Sequence, residues 1–229
     1  MRRGTMTDYA SVQAAVAAHG LICRGGFHPR PADAVPGAAG TLVLVGNAGP
    51  EMWKAFSRGR GDEPHPLNAW ARRVMGKVAD GLGARVLFPF DGPPYLPFQR
   101  WARRAEPVHP SPIGPLIHPD FGLWHAYRAA LVFAATLALP PPDARPSPCE
   151  TCSEKPCLSA CPVDAFTTGA YDVPACTAHI SAPAGADCLH QGCRARLACP
   201  VGRSYVYAPA QARHHMQGFL AAQGAAKPS

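Results

Sequence analysis

The sequence predicts an α+β chain with a separate cysteine-rich, metal-binding lobe, on three observations. Helical and strand-like patterns alternate through residues 1–145, eight of the nine cysteines lie between Cys149 and Cys199, and a Pro-rich stretch, Pro140–Pro148, separates the two regimes. The 229 residues suit one domain plus a small lobe. The expected division is a cofactor- or substrate-binding domain over 1–145, a metal-binding lobe over 146–205, and a C-terminal helix and tail over 206–229. Hydrophobic residues at 47% and charged residues at 16% exclude an intrinsically disordered chain.

The elements follow in order. Thr7 caps a helix over Asp8–His19 that Gly20 closes. Thr41–Val45 (TLVLV) reads as a short buried strand entering a turn at Gly46–Gly49, shaped like a phosphate loop but without the G-x-G-x-x-G spacing. Pro50–Arg58 is a helix with Pro at its first position, and Leu67–Leu82 is a second, its apolar stripe carried by Leu67, Trp70, Val74 and Val78. Arg85–Phe90 (RVLFPF) is another buried strand, followed by a Pro-broken loop, Asp91–Pro97, and a short basic helix bearing Arg100, Arg103 and Arg104. Ile113–Asp120 is too interrupted by Pro and Gly to be helical. Gly122–Leu139 is open between helix, which its alanines favour, and strand, which we take. Pro209–Gln223 closes the chain as a helix, with Ala225–Ser229 frayed.

The longest apolar run, Ala129–Leu139, is shorter than the roughly 20 residues of a membrane span, and MRRGTMTDYA has no apolar signal core. No membrane association and a cytoplasmic location are expected. The formal charge of +7 comes from scattered residues with no basic run, so charge alone gives no reason to expect nucleic acid. The expected partner is a redox protein or a small-molecule cofactor.

In a reducing compartment, clustered cysteines bind metal more often than they form disulfides. The first half reads Cys149-x2-Cys152-x4-Cys157-x3-Cys161-Pro162, and the second reads Cys176, Cys188-x4-Cys193-x5-Cys199-Pro200. Each half ends in Cys-Pro, as in two-cluster ferredoxins, where three cysteines on a tight loop hold one cube and the Pro-flanked fourth crosses to the other. Proline, with fixed φ and no N–H, turns the chain away after that fourth cysteine. The pairing this suggests is Cys149, Cys152, Cys157 and Cys199 on one [4Fe–4S] cluster, and Cys176, Cys188, Cys193 and Cys161 on the other. Two all-cysteine zinc sites are the alternative, since they also use C-x2-C. Under either reading metal ligation supplies much of the folding energy of a lobe so short of large aliphatic residues.

The run CETCSEKPCLSACPVDAF, with PACTAHI and CRARLACP, resembles the two-cluster segment of epoxyqueuosine reductases and their ferredoxin-like relatives, across Cys149–Pro200. Upstream, GFHP, TLVLVGNAGPEMWKAF and IHPDFGLWHAYRAALVF resemble cobalamin-processing proteins of the cblC type, whose fold is related to flavin nitroreductases. These resemblances imply a nitroreductase/cblC-like N-terminal domain with a pocket for cobalamin or flavin, and electrons passing to that cofactor from a ferredoxin-like two-cluster lobe. They also imply roles for two residues. Asp91, in FPFDGPPYLPF, stands where epoxyqueuosine reductases carry an acidic residue after a strand, a candidate catalytic acid. Arg128 matches an arginine of the cblC-type motif, a candidate cofactor contact. The plain readings are a turn residue for Asp91 and an ion-pair or anion partner for Arg128. The chain lacks the helical-repeat region of epoxyqueuosine reductases and, unlike cblC-type proteins, carries cluster cysteines. Trp53, Trp70, Trp101 and Trp124 are expected in the core, and Cys23 is expected to be inert.

Overall fold

The computed structural model describes residues 7–166 and 170–225. The strands are β1 (Ile22–Phe27), β2 (Thr41–Ala48), β3 (Arg85–Leu87), β4 (His109–Pro110), β5 (Leu116–Ile117) and β6 (His125–Phe133). The helices are α1 (Tyr9–Ala17), α2 (Glu51–Gly59), α3 (Pro66–Leu82), α4 (Phe98–Ala105), α5 (Pro156–Ser159), α6 (Val173–Ser181), α7 (Ala186–Gln191), α8 (Arg194–Leu197) and α9 (Pro209–Ala225). The mixed helix and sheet class agrees with the sequence reading. Two compact units share these elements, Met1–Pro107 with His125–Arg145, and Val108–Trp124 with Pro146–Ser229.

The first unit is built on an antiparallel sheet of order β1-β2-β6-β3. Its two central strands are the apolar runs of the sequence. β2 is buried from Thr41 to Asn47 and β6 from Ala129 to Phe133, as strands covered on both faces must be. Val43, Val45, Leu131 and Phe133 pack into a core with Val12 and Val16 of α1, Met52 and Phe56 of α2, and Trp70, Met75 and Val78 of α3. Helix α4 packs on β1 and β2. Its basic residues are partly committed to holding it there, since Arg104 pairs with the Asp33 carboxylate and Arg100 donates to the Asp33 carbonyl at 3.3 Å.

Several local expectations change. Asp8, not Thr7, caps α1, accepting from the Ser11 backbone N–H at 2.8 Å, while Thr7 donates to the Leu82 carbonyl. β2 runs on through Gly46 and Asn47 to Ala48, so the expected Gly46–Gly49 turn is strand for most of its length. The reason lies opposite, where β6 carries one extra residue: Val45 faces Ala129 and Gly46 faces Tyr127, leaving Arg128 as the bulge. A Cβ on Gly46 would stand 2.1 Å from the Ala126 carbonyl oxygen, so only glycine lets the strand continue. β3 stops at Leu87, three residues before the expected end.

The second unit is wider than the expected 146–205 lobe. Residues 108–124, read as part of the first domain, belong to it, and so does α9, which packs on α6 and α7. The cysteine-rich segment is short of large side chains, and Ile113, Ile117 and Leu123 supply them, packing with Cys157, Cys161, Ala165, Ala195 and Cys199. The approach is close enough to require glycine on both sides. A Cβ on Gly122 would lie 2.1 Å from the Val201 oxygen, and one on Gly202 would lie 2.3 Å from the Phe121 carbonyl carbon. Trp124 packs on Tyr207. Most of the expected frayed tail, and most of the N-terminal decapeptide, lie outside the described residues.

Candidate functional site

The eight lobe cysteines sit on short helices and the turns between them. Cys157, Cys161, Cys188 and Cys199 are buried and Cys149, Cys152, Cys176 and Cys193 are half-buried, all as free thiols. Electrostatic influence on one side and a shared cavity on the other divide them into two sets of four. The Cys157 thiol is pushed up first by burial and then by negative charge on Cys199, Cys149 and Cys152, and burial with Cys199 and Cys152 does the same at Cys149. Cys161, Cys176, Cys188 and Cys193 line one cavity, closed by Phe166, Ile180, Ala195 and Met216. Among the described residues, no three His, Cys, Asp or Glu side chains gather closely enough to hold a single ion.

Six of the eight sulfurs are served by donors from other residues. The Ala165 N–H donates to Cys161 Sγ at 3.4 Å. Backbone N–H groups of Ala195 and Arg196 serve Cys193, that of Arg194 serves Cys188, and that of Val201 serves Cys199. The Ser147 side chain donates to Cys149 and the Tyr171 hydroxyl to Cys176. Burial holds all six shifted thiols above their ordinary range, and these donors pull against it. Donors aimed at buried sulfur are what a ligating thiolate needs, so the residues present fit a metal–sulfur site.

Asp91 lies in the first unit, after the buried Phe88 and on a turn closed by its own N–H to the Phe88 carbonyl at 3.3 Å. Its carboxylate accepts from Arg72 at 2.5 Å, with both side chains about half exposed. Arg72 lies over the rings of Phe88 and Phe90, at 4.8 and 5.2 Å. It also lines an open cavity of about 500 Å³ with His65, Asn68, Arg73 and Phe90. Arg128 is the bulge residue of β6, and its Nε donates to Asn47 Oδ1 at 3.2 Å.

Beside Arg128 stands a polar network that sequence reasoning missed. Arg24, 1% exposed, grips Glu106 with two teeth, Nε to Oε2 at 3.0 Å and Nη2 to Oε1 at 2.7 Å. It also donates to the Asn47 carbonyl at 3.3 Å and meets His125 Nδ1 at 3.2 Å. The Tyr127 hydroxyl donates to Glu106, and the Tyr127 ring lies 5.0 Å from the Arg24 guanidinium. Burial pushes the Glu106 carboxyl up, against the pull of Arg24 and Tyr127. Cys23 is pushed up to about 12 by burial, fitting its expected inertness.

Three solved structures place this arrangement. The B12-trafficking protein CblC of C. elegans is 15% identical, with a TM-score of 0.53, over 90% of this chain and 91% of that one. An epoxyqueuosine reductase crystallised with an epoxyqueuosine-modified tRNA-Tyr stem loop is 16% identical, with a TM-score of 0.52, over 87% of this chain and 66% of that one. The chain has their fold. A third, epoxyqueuosine reductase from Bacillus subtilis, solved with its catalytic aspartate loop swung out of the active site, is 15% identical, with a TM-score of 0.51, over 86% of this chain and 65% of that one. The chain therefore spans about two thirds of the length of the reductases and nearly all of CblC. No protein-family model matches the chain, and no curated protein is similar to it at a significant level. The epoxyqueuosine reductase and CblC likeness agrees with the resemblance read from the motifs. One of these neighbours holds a tRNA stem loop, so scattered charge was too thin a ground for setting nucleic acid aside. Among the described residues, no helix is long and apolar enough to cross a membrane.

Proposed function

We propose that the chain is an iron–sulfur oxidoreductase, with two [4Fe–4S] clusters on a ferredoxin-like second unit and a corrinoid, or failing that a flavin, as electron acceptor on the first. What supports this is the cavity shared by Cys161, Cys176, Cys188 and Cys193 and the charge effects linking Cys157 to Cys149, Cys152 and Cys199, each set being three cysteines from one half of the motif with the Cys-Pro cysteine of the other. When bound, the clusters supply one-electron transfer. The protein's own part is to exclude water around the sulfurs and to present N–H donors to them.

On the first unit, Arg128, held by Asn47 beside the buried Arg24–Glu106–Tyr127 network, is the candidate contact to the acceptor, and Asp91 is the candidate proton donor. The B. subtilis reductase, which carries its catalytic aspartate on a loop, supports a loop role for Asp91. An RNA substrate, as bound by the tRNA-complexed reductase, is one reading of the reaction. Corrinoid processing without a further substrate is the second, and near-complete mutual coverage with CblC favours it. The test is to add hydroxocobalamin or flavin to anaerobic, reduced protein and follow the visible spectrum, with and without a tRNA stem loop. Reduction of a bound corrinoid or flavin is expected. Protein that holds its clusters yet binds neither acceptor would refute the oxidoreductase reading.

A further inference from the structure

Two side chains that the cysteine motif does not announce, Tyr171 and His179, stand beside the second set of cysteines. Helix α6 carries Cys176 and, three residues on, His179, so both project from one face. His179 lines the cavity walled by Cys161, Cys176, Cys188 and Cys193. Its Nε2 is buried and has no hydrogen-bond partner among the described residues. A buried ring nitrogen without a partner costs free energy, and a sulfur-rich group in the cavity would satisfy it. From the other side, Tyr171 donates its hydroxyl to Cys176 and is held by rings on both flanks, Phe166 at 4.8 Å and Phe219 of α9 at 6.0 Å.

We propose that Tyr171 Oη–H and His179 Nε2–H are positioning donors to the sulfurs of the second cluster and raise its reduction potential. The inference rests on the two-cluster reading above. Hydrogen bonds to cluster sulfur stabilise the more negative, reduced state, so each donor moves the potential upward. Both act by position and neither is a ligand.

The experiment is an anaerobic redox titration followed by electron paramagnetic resonance, with iron and sulfide counted in every sample. Wild type is compared with Tyr171→Phe, which keeps the ring stack, His179→Leu, which removes the donor, and His179→Gln, which keeps an N–H. Cys161→Ala identifies the second cluster's signal. Tyr171→Phe and His179→Leu are expected to lower the second cluster's midpoint potential and leave the first unmoved, with His179→Gln restoring most of the loss. A purely structural role would cost iron and leave the surviving potentials alone. If His179→Leu does not assemble the second cluster, Tyr171→Phe and His179→Gln carry the comparison. Two clusters with unchanged potentials in the variants overturn this inference alone, and a shift in one variant only overturns it for the other residue. Wild-type protein without a second cluster overturns the two-cluster reading as well.

Discussion

Glu106 is the residue on which the first unit's buried charge depends. It answers an arginine that is 1% exposed, and removing one partner of such a pair leaves the other charge buried and uncompensated. Glu106→Ala is therefore expected to lose about 3–5 kcal/mol in urea denaturation. Asp91 is the opposite case. Its pair with Arg72 is half exposed, where screening by water leaves about 0–1 kcal/mol, so Asp91→Asn should unfold at nearly the wild-type urea concentration. A large loss of corrinoid-linked turnover in Asp91→Asn would then report chemistry. Unchanged turnover would reduce Asp91 to a turn residue. Cys23 offers a simpler check at this scale. With its thiol pushed up to about 12, it carries little thiolate at pH 8 and should resist iodoacetamide in the folded protein while reacting after denaturation.

At the scale of elements, the β2–β6 pairing positions Arg128 by means of one extra residue, and Gly46 opposite makes room for it. Gly46→Val should cost about 1–3 kcal/mol by overpacking, read as a lower melting temperature of the first unit. Elements with a clear period were legible in the sequence. The stripe Leu67, Trp70, Val74 and Val78 marked α3, with Val74 only partly buried, and the continuous run TLVLV marked a strand covered on both faces. β1 was not legible, because ICRGGF has no alternation. Its register slips between Cys23 and Gly26, with Gly25 at φ 71 and Arg24 turned inward. The short helices α5 and α8 span only four residues each and leave no period to read. In the candidate site, the Cys-Pro endings are the sequence signal behind the proposed grouping of the cysteines. The network of Arg24, Asn47, Glu106, His125 and Tyr127 stayed hidden because its members are far apart in sequence and each, taken alone, looks like an ordinary surface residue.

At the scale of the whole molecule, two units of different character share the chain. The first has a large apolar core of its own, whereas the second builds its core around cysteines with a few aliphatics from 108–124. Metal removal should therefore act unequally. Anaerobic chelation is expected to abolish the second unit's structure while the first still melts cooperatively, visible as one calorimetric transition retained and one lost. Assembly should also depend on pH with a definite sign. Burial raises six of the thiols, so at neutral pH the metal-free protein holds their protons, and ligation must release them. Reconstitution is expected to be tighter at pH 9 than at pH 7, measured by iron retained after gel filtration. The reverse order would mean that the thiols are not the ligands.

Iron and acid-labile sulfide per chain, counted in anaerobically purified wild type and Cys161→Ala, test the proposed crossed pairing of eight cysteines on two cubes. Wild type should hold about eight of each, and Cys161→Ala about four, with the surviving cluster still sensitive to loss of Cys199. About two zinc ions and no sulfide in wild type, or a Cys161→Ala protein whose surviving cluster no longer needs Cys199, would contradict it.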